Sequence, residues 1–456
     1  MSVDVVEFLP ILMFVALGLL LFSGYPVAFV LGGVALSFGL IGYAMGAFRL
    51  IEFYNIVPRI WGGVAENLVL VAVPMFIFMG TMLERSGTAQ SLLYALQVML
   101  RRVPGGLALA VTAMGTIMAA TTGIIGASVV MITLMALPVM LERRYNTELA
   151  TGTIAASGTL GIQIPPSIML VIMADLLSVS VGNLFVAALF PGLILSGLYF
   201  AYIWVLTRLR PALAPPMRAD EGPDTAAELV RLILVSFAPA AFLILLVLGS
   251  IFAGWATPTE AAAVGAAGAI LLAALNGQLT PPILGEVAER TALTVSMIFF
   301  IFIGATAFSY VFRSLGGDYI VEEIIFGLGL GSWGILFVLM GMVFFLGFFF
   351  DWVEITLIVL PVFTPIIRAL DFGDHVAQID KVYWFAILVA VNLQTSFLTP
   401  PFGFALFYMK GVAPPSVHLM EIYRGIIPFV LLQLAGLGLV IAFPEIALWL
   451  PRQLLD

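Results

Sequence analysis

The 456-residue sequence predicts an all-α polytopic membrane protein, with about ten transmembrane helices plus two re-entrant hairpins in two inverted repeats. Three observations carry that expectation. The chain is 62% hydrophobic and 10% charged, with a mean hydropathy of +1.17, more apolar surface than a compact soluble core can hide. Its apolar runs reach roughly 20 residues, enough for a helix to cross about 30 Å of hydrocarbon, and they lack the alternation of barrel strands. The third is internal duplication: a stretch from Thr121 to Asp175 returns, altered, near the C-terminus.

The duplication has a measurable register. Ile132-Thr133-Leu134 matches Ile355-Thr356-Leu357, and Leu137-Pro138-Val139 matches Leu360-Pro361-Val362, both at an offset of 223. Phe78-Met79-Gly80 matches Phe302-Ile303-Gly304 at 224. The double proline Pro165-Pro166 matches Pro400-Pro401 at 235, so the second copy holds about twelve extra residues, most simply the polar run Asp371 to Lys381.

Taken in order, residues 1–67 hold two spans, Phe8 to Ser23 and Val27 to Ala47, then an interfacial segment, Phe48 to Glu66, with charges among aromatics. Acidic Asp4 and Glu7 before the first apolar run are unlike a cleavable signal, so that run reads as a permanent span. Residues 68–207 form the first repeat core: a span, an amphipathic helix ending at Arg101-Arg102, hairpin one at about 107–141, an interrupted helix at 148–177, and a return span to Leu206. A polar, proline-rich linker at 208–228 divides the halves. Residues 229–290 supply the spans Leu229 to Phe252 and Ala256 to Leu275. Residues 291–456 repeat the core, with hairpin two at about 335–368, a second interrupted helix at 383–409 and a last span from Gly425 to Leu450.

Hairpins are preferred to full spans because of what lies at their midpoints and bases. The run from 107 to 141 is divided by Thr121-Thr122-Gly123 and Gly126-Ala127-Ser128, small polar residues suited to backbone that coordinates something at membrane depth. Arginines 101, 102, 143 and 144 flank the first hairpin, whereas the base of the second carries Glu322, Glu323, Asp371, Asp374 and Asp380 against Arg313, Arg368 and Lys381. The two therefore enter from opposite faces, the arginine-rich one inside. Five spans per copy force the copies into inverted orientation, the plan of secondary transporters with a midplane site, and place both termini outside.

The double prolines disfavour helix before them and remove a backbone donor, so each interrupted helix breaks into two half-helices. Unwound backbone there, with nearby hydroxyls, offers the uncharged hard oxygens that Na⁺ requires. Site one is expected where the first tip meets the first break: Gly123, Gly126, Ser128, Ser157, Gly158, Gly161 and Pro165. Site two follows by the repeat offsets: Gly347, Asp351, Gln394, Thr395, Thr399 and Pro400. Substrate contacts are expected in the same region, at Ser128, Ser157, Thr159, Pro166, Asn392, Ser396 and Pro401. Small residues also simply allow helices to pack closely, and that alternative stands for each of them singly.

Asp351, inside FFFDWVE, is a carboxylate at membrane depth, either a cation ligand or protonatable group or an N-cap for the helix that follows. Glu354, one turn later, is expected against a polar neighbour. Asp175 and Lys410 are repeat mates expected at opposite faces, each snorkelling to an interface. No basic residue falls at the predicted midplane, so an anionic substrate would be held by half-helix N-termini, hydroxyls and bound Na⁺. The chain has no cysteine and two histidines, which excludes thiolate chemistry and leaves little for imidazole clusters. Gly329-Leu-Gly331-Ser-Trp-Gly334 matches a dinucleotide fingerprint in letters only, because no strand precedes it. With no Walker loop, HExxH or Ser/His pair, the expectation is a protein that is not an enzyme and uses neither nucleotide nor redox cofactor.

GASVVMITLMALPVMLERRYNTELATGTIAASGTLGIQIPPSIMLVI, FMGTMLERSG, and FFFDWVEITLIVLPVFTPI followed by NLQTSFLTPPFGFALF resemble the large membrane subunit of tripartite ATP-independent periplasmic (TRAP) transporters, the DctM-like family, over nearly the whole chain. That resemblance implies a sodium-driven importer of organic acids in a bacterial or archaeal inner membrane. It also implies an elevator mechanism, two or more coupling Na⁺ ions, a small four-span membrane subunit and a periplasmic substrate-binding protein. The family commonly has an SGSS-like first tip, where this chain has Ile125-Gly126-Ala127-Ser128. Partners are thus the two other subunits, the organic acid and the lipid bilayer, with no nucleic acid. The competing classes are a channel or passive pore for small anions, which needs a continuous polar path, and a noncatalytic assembly subunit, which has no use for paired broken helices. C4-dicarboxylates, 2-oxo acids, sugar acids and aromatic acids all fit the expected substrate class.

Overall fold

The computed structural model describes residues 5–122, 125–217 and 225–454, and no strand occurs among them. Helices follow in order: α1 (Leu9–Leu21), α2 (Val27–Ala44), α3 (Ile56–Ile60), α4 (Ala72–Arg85), α5 (Thr88–Met99), α6 (Gly106–Thr122), α7 (Ile125–Glu142), α8 (Thr147–Thr159), α9 (Ile168–Leu177) and α10 (Val181–Leu209). The second half holds α11 (Ala226–Ser236), α12 (Ala238–Phe252), α13 (Pro258–Leu275), α14 (Pro281–Ser314), α15 (Gly317–Gly327), α16 (Ser332–Leu346), α17 (Trp352–Ala369), α18 (Lys381–Leu398), α19 (Phe404–Val412), α20 (Leu419–Ala442) and α21 (Glu445–Leu454). Among the described residues nine helical segments are long and apolar enough to cross a membrane. The protein is a multi-pass membrane protein.

Two hydrogen-bonded seams define its faces. On one, the base of hairpin one is tied to the end of α10: Asn146 N–H donates to Leu213 O at 2.8 Å, Gly105 N–H to Ala214 O at 3.0 Å, and Thr207 Oγ1 to Pro104 O at 2.9 Å. On the other, Lys381 Nζ donates to Arg368 O at 2.7 Å, Arg368 to Leu177 O at 2.9 Å, and Asp371 N–H to Ser332 Oγ at 3.1 Å, joining the base of hairpin two to the ends of α9 and α18. Hairpin one (α6–α7) and hairpin two (α16–α17) therefore rise from opposite faces. With α8 13 residues long, and Val129 of hairpin one packed on Gly158 near its end, that point of α7 lies roughly 20 Å from the base of the hairpin.

The repeats interlock. α2 packs along α14 and α13 along α4, so a scaffold span of each half lies on a helix of the other. The core does the same: α7 of hairpin one packs on α19, and α17 of hairpin two packs on α9. Such exchange buries each apolar surface against the opposite half, and neither half has a complete core alone.

Two expected spans are divided. The stretch 229–252 is split at Phe237, because Pro239 at the start of α12 supplies no N–H; amphipathic α11 lies on α5 instead. The last span ends at Ala442, and α21 packs on α10 with Arg452 paired to Asp380 at 2.7 Å. The linker 208–228 falls partly outside the described residues, at 218–224.

The seam between α8 and α20 depends on two glycines. A Cβ at Gly152 would overlap the Gly425 carbonyl oxygen, and one at Gly425 would overlap the Glu148 carbonyl oxygen. We expect Gly425→Ala to destabilise the protein by about 1–3 kcal/mol, read as a lower thermal unfolding midpoint in detergent. Gly341→Ala, where a Cβ meets nothing within 4 Å, should leave the midpoint unchanged.

Candidate functional site

Each interrupted helix is broken by its double proline. α8 gives way at Thr159 to a tight 3₁₀ turn through Ile162, and helix resumes at Ile168. α18 stops at Leu398, and α19 starts at Phe404. Both proline pairs, Pro165-Pro166 and Pro400-Pro401, are joined by cis peptide bonds. The breaks face each other: Gln394 Nε2 donates to Thr159 Oγ1 at 3.3 Å, both fully buried. Thr159 and Gln394 are 235 positions apart, the same register as the prolines, so each is the other's repeat mate. The pseudo-twofold axis relating the halves passes between them.

Each hairpin reaches its own broken helix in the same way. Ser157 Oγ donates to Thr112 Oγ1 of α6 at 3.4 Å, and its mate Asn392 donates through Nδ2 to Met340 O of α16 at 2.7 Å. Gly158 lies against the Val129 backbone, beside Ser128, and Gly347 lies against Ser396. The structure thus gathers Ser128, Ser157 and Gly158 in one half, and Gly347, Asn392 and Ser396 in the other. Gly161, Pro165 and Pro166 are buried in the first break, whereas Pro401 is exposed and accepts from Tyr423 Oη at 2.7 Å. Gly123 lies outside the described residues. Gly126 approaches neither break residue but the Tyr408 ring of α19, where its Cβ would come within 3.1 Å of two ring carbons.

The hydroxyls are arranged as acceptors. Thr395 Oγ1 donates to Val391 O at 2.9 Å, Thr399 Oγ1 to Thr395 O at 2.7 Å, Ser396 Oγ to Leu393 O at 2.8 Å, and Thr159 Oγ1 to Ala156 O at 2.9 Å. With each proton given to a helix carbonyl, what remains on the oxygen is lone pairs, suited to a cation. Asp351 caps α17, its carboxylate accepting from Trp352 N–H at 2.8 Å. Asp175 and Lys410 do stand apart: Asp175 accepts from Asn67 Nδ2 at 2.7 Å, and Lys410 Nζ donates to Val417 O at 2.6 Å.

Two residues outside the predicted sets belong in this region. Gln163, fully buried just before the first proline pair, makes no side-chain hydrogen bond among the described residues. Its signal was a lone amide in GIQIPP. Glu354 is buried and shares a largely apolar cavity with Asp351 and Tyr408, and its Oε2 has no hydrogen-bond partner among the described residues.

Clefts separate the hairpins from the scaffold. One of about 450 Å³ holds Arg59, Arg313, Asp175 and Tyr310 beside Leu357 of hairpin two. Another of about 460 Å³ holds Glu84, Arg85 and Gln90 beside Leu134 of hairpin one. Leu134 and Leu357 are repeat mates, so the clefts are the same feature on opposite faces.

The fit at Gly347 is testable. Gly347→Ala would overlap Ser396 Oγ and push the second tip off its broken helix. The variant should lose about 1–3 kcal/mol of stability, and the double variant Gly347→Ala/Ser396→Gly should recover most of it in thermal unfolding.

Residues 14–446 match the family described as "Tripartite ATP-independent periplasmic transporter, DctM component". The chain is 30% identical to the C4-dicarboxylate TRAP transporter large permease protein DctM of Pseudomonas aeruginosa, covering 86% of this chain and 88% of that protein. It is 28% identical to the ectoine/5-hydroxyectoine TRAP transporter large permease protein of Ruegeria pomeroyi (96% and 97% covered) and 26% identical to the sialic acid TRAP transporter large permease protein of Vibrio cholerae (95% and 96%). In fold it is similar to the Alcanivorax borkumensis YdaH transporter, with a TM-score of 0.61 over 88% of this chain and 90% of that one at 14% identity. With the match running almost end to end over this inverted-repeat architecture, the chain belongs to the DctM family, the large permease component of TRAP transporters, and is a transport subunit, not an enzyme.

Proposed function

We propose that this chain is the permease subunit of a sodium-coupled secondary importer of organic acids. The observation that carries the reading is the pairing of two broken helices across a pseudo-twofold axis, each met by a hairpin from the opposite face. Inverted repeats with broken helices at membrane depth support alternating access around a fixed site. Acceptor-oriented hydroxyls at Thr159, Thr395, Ser396 and Thr399 support Na⁺ as the co-transported ion, and the names of related permeases support a carboxylate as the other cargo. Hairpins and broken helices move together as an elevator against the scaffold of α2, α4, α13 and α14, and the paired clefts are where that sliding interface opens. A small four-span subunit and a periplasmic binding protein complete the system in an inner membrane, with both termini outside.

Reconstituted with those two subunits, the protein should accumulate the acid carried by its binding protein only under an inward Na⁺ gradient. Uptake that persists with K⁺ replacing Na⁺ on both sides would refute the coupling. Asp351→Asn keeps the cap but removes the charge, and should raise the half-maximal Na⁺ concentration about threefold to tenfold; unchanged Na⁺ dependence at matched expression would assign Asp351 to capping alone.

Orientation has its own test. A cysteine at Arg210, on the arginine-rich face, should resist an impermeant thiol reagent in intact cells, while one at Asp374 should react. Reversed labelling would invert the topology.

A further inference from the structure

The cleft of about 450 Å³ beside hairpin two lies between that hairpin, the end of α9, the scaffold helix α14 and the interfacial segment before α4. Two guanidiniums enter it, those of Arg59 and Arg313. Arg59 stacks over the Tyr310 ring at 4.8 Å and forms no ion pair among the described residues, so its N–H donors are left for a ligand. Asn55 Nδ2 donates to Tyr310 Oη at 2.9 Å, which leaves the phenol its own O–H to give. Arg313, one turn further along α14, donates to Pro361 O of hairpin two at 3.2 Å and pairs with Asp318 at 3.4 Å. That carbonyl is free to accept because Pro365, four residues on, has no N–H. One carboxylate lies in the lining, Asp175, which accepts from Asn67 Nδ2 at 2.7 Å. The matching cleft beside hairpin one differs: its one arginine, Arg85, is paired with Glu286, and Glu84 stands beside it.

We propose that this cleft is an acceptance site for the transported acid, binding a hydroxylated monocarboxylate with its carboxylate between Arg59 and Arg313 before it reaches the helix breaks. The inference rests on the reading of the chain as an importer with the base of hairpin two outside. A guanidinium presents paired N–H groups that match a carboxylate, and the opposite charges add to the fit. The Pro361 carbonyl is neutral, so an arriving acid competes for Arg313 with hairpin two itself and loosens a contact between that hairpin and the scaffold. Asp175 sets the class of acid. Its charge opposes a second carboxylate in the cleft, while the lone pairs that Asn67 leaves free accept a hydroxyl. Fixed cations hold the anion here, so binding needs no Na⁺, unlike binding at the breaks, where no Arg or Lys is available. The site belongs to one face only. At the positions equivalent to Arg313 and Pro365 the first half carries Ala89 and Glu142, which supply neither the guanidinium nor the freed carbonyl. Acceptance on one face alone suits a protein that imports.

The test is binding of gluconate to the full chain in phosphatidylcholine nanodiscs, in choline chloride without Na⁺, read by saturation-transfer NMR. The parent should bind gluconate, and bind succinate at least about tenfold more weakly. Arg59→Gln and Arg313→Gln should each weaken gluconate by at least about tenfold, and Arg59→Lys, which keeps the charge but not the fork, should fall between. Asp175→Asn should bring the affinity for succinate towards that for gluconate. Thermal unfolding checks that Arg313→Gln folds; if it does not, the two Arg59 variants decide. A parent that binds no gluconate without Na⁺, or variants that bind it as the parent does, overturns the site. Sodium coupling is read separately, by uptake with the partner subunits, and survives that result. Succinate bound as tightly as gluconate by the parent refutes the proposed class of acid. Loss of gluconate binding when phosphatidylglycerol replaces part of the phosphatidylcholine also refutes the site, because the arginines then hold a lipid phosphate.

Discussion

Backbone that leaves a helix inside a bilayer must find partners within the protein, since lipid offers none. This chain breaks two helices at membrane depth, and most of its architecture serves to shelter those breaks. The first, from Leu160 to Ser167, is wholly buried, and Ser167 Oγ donates to Ile162 O across it at 2.5 Å. The second is less covered, with Thr399 and Pro400 half-buried, Pro401 and Phe402 exposed, and the Phe402 ring 5.2 Å from Phe349 of the hairpin tip. The halves share a plan but not an environment.

Interlocking explains how the breaks are held without being frozen. Hairpin one leans on α19 and hairpin two on α9, so each tip is braced by the half-helix of the opposite repeat. The central bond, Gln394 to Thr159, is between neutral groups at 3.3 Å, and the second amide atom, Gln394 Oε1, is left without a partner among the described residues. Such a centre joins the repeats while keeping acceptor capacity next to the breaks.

The charged groups follow the same division. On the arginine-rich face, Arg143 and Arg144 follow α7 and Arg208 lies in the last turn of α10; at the other, Lys381, Arg368 and Arg452 are tied to carbonyls or to Asp380. Between the faces, hairpin two brings the carboxylates of Asp351 and Glu354 to a largely apolar cavity. At the equivalent positions hairpin one carries Ser128 and Met131, so the repeats differ in charge there.

Much of this was legible in the sequence. Hydropathy, the 223 and 235 offsets and the double prolines determine the repeats, the inversion and the positions of the breaks, because membrane insertion and proline chemistry act locally on the chain. Division of the spans at Phe237 and Ala442 was marked in the sequence only by Pro239 and by Pro444-Glu445, set among apolar residues that read as continuous spans; that the separated pieces pack on α5 and α10 is decided by tertiary structure. Nor could periodicity show that Thr159 and Gln394 touch, or that Tyr408 stands between the hairpin tips, since those contacts join residues hundreds of positions apart. The surroundings of Glu354 were hidden for the same reason. Sequence gives a glutamate one turn beyond a capping aspartate, but whether its carboxylate meets a partner, water or an apolar wall is set by helices from both halves closing around it.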